Sequence, residues 1–140
     1  MSIYHIQKFK KIDIAKEYIE TAILHYEDKK YFQALHLAGA AEELIGKLLR
    51  KEKIKTSLES EKEDFVLFNK LVMKRDISEK HAADFLNKSK NAIKHLDETN
   101  PKDEYIELDP KEDANNLLKR AIKNLWRLEG ELSPSMEKFW

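Results

Sequence analysis

Apolar side chains return every three or four residues along most of this chain, and that period constrains the fold more than any other feature. Phe9, Ile12, Ala15, Ile19, Ala22, Ile23 and Tyr26 fall on one face of a helix spanning about residues 6–28. After the short polar break Asp28-Lys29-Lys30, a second helix follows over about 31–52, its middle apolar around much of its circumference. Such a short link makes these two helices an antiparallel hairpin. Gly39, Ala40 and Ala41 are small on one side of the second helix, so another helix can approach closely there. Gly39 and Gly46 each cost a helix about 1 kcal/mol relative to Ala, and close packing explains keeping them.

Three further helices complete the reading. Residues 56–60 read as a loop before a third helix over about 61–74, which carries Phe65, Phe68, Leu71 and Val72. Ser78 has the character of an N-cap, with Ile77 placed as a hydrophobic staple. The fourth helix then runs to about Leu96 with Ala82, Phe85, Leu86, Ser89, Ile93 and Leu96 inward. Between Asp97 and Asp113 stand eight acidic residues against Lys102 and Lys111. Asn100-Pro101 and Asp109-Pro110 are turn signals, and Pro110 suits a first helical turn. The fifth helix continues through Leu117, Leu118, Ala121, Ile122, Leu125 and Trp126 to about Glu129, where Gly130 stops it. The expected fold is an all-α, up-and-down bundle of about five helices in one domain over 1–140. Its core covers about 6–129 and a tail follows at 130–140. Phe139 and Trp140 give that tail an apolar end, and both are expected to leave water if the tail is ordered. There is no internal repeat and no low-complexity segment.

Composition excludes several chemistries. There are 3 Gly, 3 Pro and no Cys, so disulfides, thiolate zinc sites and thiol catalysis are out. The 26 basic residues balance 26 acidic ones, which is unlike a globally basic nucleic-acid binder. Local patches still set local potentials. No apolar run approaches the roughly 20 residues that span a bilayer, and the first eleven residues lack a signal-peptide core. The expected location is the cytoplasm, with no membrane partner. A carboxylate-bridged di-metal bundle needs Glu-x-x-His pairs, and no Glu here precedes a His by three residues. His36 and Glu43 share a face but form only one such pair, so neither a metal nor a cofactor is expected. Clustered glycines for a phosphate loop and a strained serine turn are also missing.

One constellation carries chemistry: Lys90-Asn91-Ala92-Ile93-Lys94-His95 near the end of the fourth helix. Asn91 and His95 are four apart and share a face. Histidine is the usual proton carrier at neutral pH, and a nearby cation and amide can hold a phosphate. The plainer account is that cations in a last helical turn complement the helix dipole. Glu42, among Ala38, Ala41 and Ile45, reads equally as a buried structural carboxylate and as a partner of this motif.

Two segments resemble the HEPN superfamily. Ala34-Leu35-His36-Leu37-Ala38-Gly39-Ala40-Ala41-Glu42-Glu43-Leu44-Ile45-Gly46-Lys47-Leu48-Leu49 resembles its Ala-rich, Ala-Glu second helix, and Lys90 to His95 resembles its Arg-(four to six residues)-His signature, with Asn91 in the polar second position. Position 90 is Lys where the family has Arg, and a point charge replaces a planar fork. The resemblance implies a helical bundle, a homodimer with facing motifs, and metal-independent cleavage of single-stranded or transfer RNA in toxin–antitoxin or defence systems. An antitoxin or nucleotidyltransferase would be the partner. Under it Lys90 and His95 flank the scissile phosphate, Asn91 and Glu42 orient them, and Lys88, Lys94, Lys119, Arg120 and Lys123 follow the RNA backbone. Two alternatives remain open: a non-catalytic HEPN-like module binding a nucleotide, an RNA or a protein, and a plain dimerising bundle using Tyr105, Trp126, Phe139 and Trp140 at its interface.

Overall fold

In a computed structural model that describes residues 4–140 the chain is all-helical. The long helices α1 (Lys11–Glu27), α2 (Tyr31–Lys51) and α6 (Pro110–Glu129) form the apolar core. The remaining helices are α3 (Ser57–Leu71), α4 (Glu79–Leu86), α5 (Lys88–Ala92) and α7 (Pro134–Phe139), with a 3₁₀ turn at Pro101–Glu104. Among the described residues no helix is long and apolar enough to cross a membrane.

The core follows the period read from the sequence. Ala15, Ile19 and Ala22 of α1 meet Leu35, Ala38, Ile45 and Leu49 of α2, and Leu118, Ala121 and Ile122 of α6 complete the cluster. Helix α2 packs along both α1 and α6 and is the central element. Helix α7 closes the far end, with Met136 buried in the core and the Phe139 ring edge-on to Tyr26 at 5.1 Å. Trp140, expected to leave water with Phe139, stays exposed instead.

Helix ends match the sequence where side chains make the cap. Ser78 accepts from the His81 N–H, Asp109 accepts from the Glu112 N–H with Pro110 opening α6, and Gly130 ends α6 at φ 74°. Elsewhere the structure departs from expectation. Helix α1 begins at Lys11, and the exposed residues 4–10 are not helical. Helix α3 begins four residues early because Thr56 and Glu59 form a capping box: Thr56 Oγ1 accepts from the Glu59 N–H at 3.1 Å, and Glu59 reaches back to the Thr56 N–H. The expected fourth helix is interrupted at Asn87, splitting into α4 and α5, and helix ends at Ala92. Phe85 and Leu96, expected inward, are exposed, while Ala82 is buried as expected. Phe68, Leu71 and Val72 of the third helix are exposed too.

Lysines occupy positions where glycine usually ends a helix. Lys29 and Lys53 sit at φ 61° and 59°, each just past the C-cap residue (Asp28 and Glu52) of α1 and α2. The Lys30 N–H reaches the His25 carbonyl at 2.8 Å and the Ile54 N–H reaches the Leu49 carbonyl at 2.9 Å. These are the long bonds of a Schellman ending, with a left-handed residue inside. A Cβ in that conformation costs roughly 1–2 kcal/mol, and glycine avoids it. Lys53→Gly should therefore raise stability by up to about 1 kcal/mol, read as a higher urea midpoint at unchanged slope.

Candidate functional site: a buried ion cluster beside a lysine-lined cleft

Helix α2 carries Glu42 on the side that meets both α5 and α6. Its carboxylate is buried and held from two directions. Lys90 of α5 places Nζ 3.1 Å from Oε2, and Arg120 of α6 places Nη2 2.9 Å from Oε1. Lys90 also contacts Glu43 Oε1 at 2.9 Å, where Lys94 approaches to 3.6 Å. Glu61 of α3 stands 3.7 Å from Arg120 Nε, a nitrogen with no hydrogen bond. The cluster thus sets the carboxylates of Glu42, Glu43 and Glu61 against the cations of Lys90, Lys94 and Arg120.

Each member is positioned by a local cause. Lys90 reaches Glu42 because position 39 is glycine. A Cβ there would lie 2.9 Å from Lys90 Cγ and 3.0 Å from Cδ, closer than carbon atoms pack. Arg120 is fixed by the other end of its fork, with Nη1 donating to the Leu86 carbonyl at 3.1 Å and Nη2 to Asn87 Oδ1 at 2.9 Å. Those acceptors lie at the junction of α4 and α5, so Arg120 binds the helix where it is interrupted. Asn124, one turn further along α6, donates to the Glu42 carbonyl at 3.3 Å and accepts from the Ser57 N–H at 2.8 Å. Ser57 Oγ in turn donates to the Arg120 carbonyl at 3.2 Å. The start of α3 is pinned to α6 by these bonds.

Two carboxyls around the cluster are shifted in opposite directions. Burial pushes Glu43 up, but hydrogen bonding and charge from Lys90, aided by Lys94, outweigh it and hold the group below its ordinary 4.5. Burial raises Glu61, and Arg120 and Lys123 offset only part of that. A lowered carboxyl stabilises the fold above its unfolded pKa, and that contribution is lost as pH falls through the lowered value. Glu61 has the reverse sign, since taking up a proton favours the fold.

The sequence-predicted residues divide into groups. Glu42 and Lys90 come together, and Arg120, expected on an RNA track, joins them in the buried pair. His95 lies beyond α5 and is exposed, its N–H bonded to the Asn91 carbonyl at 3.2 Å. The His95 side chain lines a depression of about 430 Å³ with Lys88, Tyr105 and the carboxylates of Asp103, Glu104 and Glu107. Lys88, Lys119 and Lys123 line a second, larger cleft of about 580 Å³ whose wall also includes Lys90, Arg120, Phe85, Trp140 and the carboxylates of Glu61, Glu107 and Asp113. Lys88 and Glu107 border both spaces, so the two adjoin. Lys94 faces Glu43 instead. Among the described residues Lys88, Lys119 and Lys123 have no carboxylate within 4 Å, and no three His, Asp or Glu side chains are grouped to hold a metal ion. Asp113 at the cleft accepts from Ser89 Oγ. The acidic stretch after His95 is exposed through Glu107.

Sequence reasoning missed Glu43, Glu61 and Asn124 as members of the cluster, and it missed Arg120 as the partner of Glu42. A signal was present. Arg120 and Asn124 fall on the same stripe of α6 as Leu117 and Ala121, so polar groups there face the core and require partners. No protein-family model, curated protein or solved structure matches the chain.

The asymmetry of the cluster sets the rank of its variants. Glu42→Gln leaves Lys90 and Arg120 buried without their common carboxylate and should cost about 3–5 kcal/mol. Lys90→Met leaves Glu42 paired with Arg120 and should cost distinctly less in the same urea titration. In acid, between about pH 5 and 3, wild type should lose stability more steeply than Glu43→Gln, because the variant lacks the lowered carboxyl.

Proposed function

We propose that this chain is a non-catalytic HEPN-like module that binds single-stranded RNA in the cleft lined by Lys88, Lys119 and Lys123. One observation supports the reading: Lys90, the signature cation, is buried between Glu42 and Glu43 at the wall of the cleft, whereas Lys88, Lys119 and Lys123 line the same cleft with no carboxylate within 4 Å, beside Phe85 and Trp140 and across from Glu61, Glu107 and Asp113. A cation already bonded to two carboxylates is poorly placed to steady a phosphate. Unpaired lysines along a groove neutralise a phosphate backbone, and exposed aromatic faces stack on bases without regard to sequence. The zero net charge of the chain fits a local rather than global electrostatic footprint.

A second reading, the metal-independent ribonuclease, is favoured by a specific feature. His95 is exposed, and its depression adjoins the lysine-lined cleft across Lys88. Under that reading His95 would take the proton of a ribose 2′-hydroxyl on a strand lying in the cleft, with Lys88 nearest the phosphate.

Fluorescence anisotropy with a labelled single-stranded RNA tests the first reading. Lys119→Glu with Lys123→Glu should weaken binding at least tenfold and lower the salt slope by roughly 1.4, or 0.7 per lost phosphate contact. His95→Ala should bind as wild type does. Unchanged binding in the double variant would sink the cleft assignment. Cleavage by wild type that disappears in His95→Ala would replace the binding reading with the ribonuclease one.

A further inference from the structure

Helices α6 and α7 enclose an apolar slot that adjoins the lysine-lined cleft at Lys123 and Trp140. Gly130, at φ 74°, turns the chain after α6, so that Leu132 and the end of α7 come back beside that helix. Met136, buried in the core, and Phe139, edge-on to Tyr26, hold α7 there. Ile122 and Lys123 precede Trp126 by four and three residues and therefore share its side of α6. With Leu132 and Trp140 they line a space of about 310 Å³. Ile122 is buried, whereas Trp126 and Trp140 are 54% and 58% exposed, so both indoles are open to an occupant.

The chemistry of the lining selects the occupant. Ile122, Leu132 and the two indoles make the walls, and Lys123 is the one charged group among them. Apolar walls with a single placed polar group are the make-up of a small-molecule site, and such sites begin at roughly 300 Å³. Indole faces attract cations as well as flat apolar rings, but the ammonium of Lys123 repels a cation here. Among the described residues Lys123 has no carboxylate within 4 Å, and Glu61 feels its charge from the cleft without reaching it. That charge is left for a ligand. We propose that the slot binds a small aromatic carboxylate, its ring against Trp126 and Trp140 and its anionic group at Lys123 Nζ. A flat ring is selected over an aliphatic chain because aromatic pairs gain from their geometry beyond the area they bury. The site stands apart from Glu42, Lys90 and His95, so it does not depend on the RNA reading.

The chain has 2 tryptophans and both line the slot, so their indole N–H signals report on it in a proton–nitrogen correlation spectrum of the full chain. The probe is naphthoate, with naphthalenemethanol as its neutral counterpart and naphthylmethylammonium as its cationic one. Naphthoate should shift both signals saturably, with a Kd of about 1 mM or tighter. Naphthalenemethanol should bind about threefold or more weakly, and the ammonium more weakly still. Lys123→Met keeps an apolar stem and should bind acid and alcohol alike. Trp126→Ala should lose most of the naphthoate response at Trp140 with an unchanged far-UV circular dichroism spectrum, since Trp126 is exposed in the free chain. Indole signals that stay in place in wild type overturn the proposal. So does an alcohol or ammonium that binds as tightly as the acid, an acid preference that survives Lys123→Met, or a response that survives Trp126→Ala.

Discussion

Glu42 is the point on which the arrangement of this bundle depends. It is a buried carboxylate on the central helix, gripped by a cation from α5 and another from α6. Such a pair adds little net stability, because desolvating the ions offsets much of their attraction. Its effect lies in register. Lys90 meets Glu42 only at the level where Gly39 leaves room for its stem, and Arg120 meets it only while also holding Leu86 and Asn87. Sliding either helix by one turn would strand a buried charge. Apolar surfaces alone tolerate such slips far better, being non-directional.

The consequence is a molecule with two kinds of cohesion. Helices α1, α2, α6 and α7 are joined by a continuous apolar cluster. Helices α3, α4 and α5 contribute mainly Ser57, Asn69, Ala82 and Lys90 to the buried set, and are tied to the core by the Glu42 cluster and the bonds of Ser57, Asn124 and Arg127. Regions with few buried apolar contacts open at lower free energy than the core. The cleft beside Lys88 involves this polar-pinned half, whereas the slot at Trp126 belongs to the apolar one.

The same division governs what was legible in the sequence. Helices α1, α2 and α6 follow from their periodicity, and their side-chain caps and stop at Asp109, Pro110 and Gly130 are readable because the residue types are specialised. The endings at Lys29 and Lys53 are not, since lysine has no preference for the left-handed conformation and is placed there by the chain reversal. The break at Asn87 depends on Arg120, thirty-three residues away, and no local pattern encodes it. Thr56-x-x-Glu59 was a readable capping box that the apolar row from Phe65 onward obscured. For the site, the sequence offered Glu42 equally as a buried structural carboxylate and as a partner of the Lys90 motif, and in the fold it is buried and bonded to Lys90. The roles of Arg120 and Asn124 required knowing which stripe of α6 faces α2.

The lysine at position 90 takes a different meaning in this setting. An ammonium is a compact charge with three donors, and here it bonds Glu42 and Glu43 at once, 3.1 and 2.9 Å away. The planar fork is supplied by Arg120, whose donors go to Glu42, Asn87 and the Leu86 carbonyl. The two cations therefore divide the work that one guanidinium would do, with the point charge between adjacent carboxylates and the fork at the helix break. For Lys90 to serve a bound phosphate, it would have to leave both carboxylates and withdraw its stem from the space over Gly39. Glu42 would then rely on Arg120 alone, and Glu43 on the more distant Lys94.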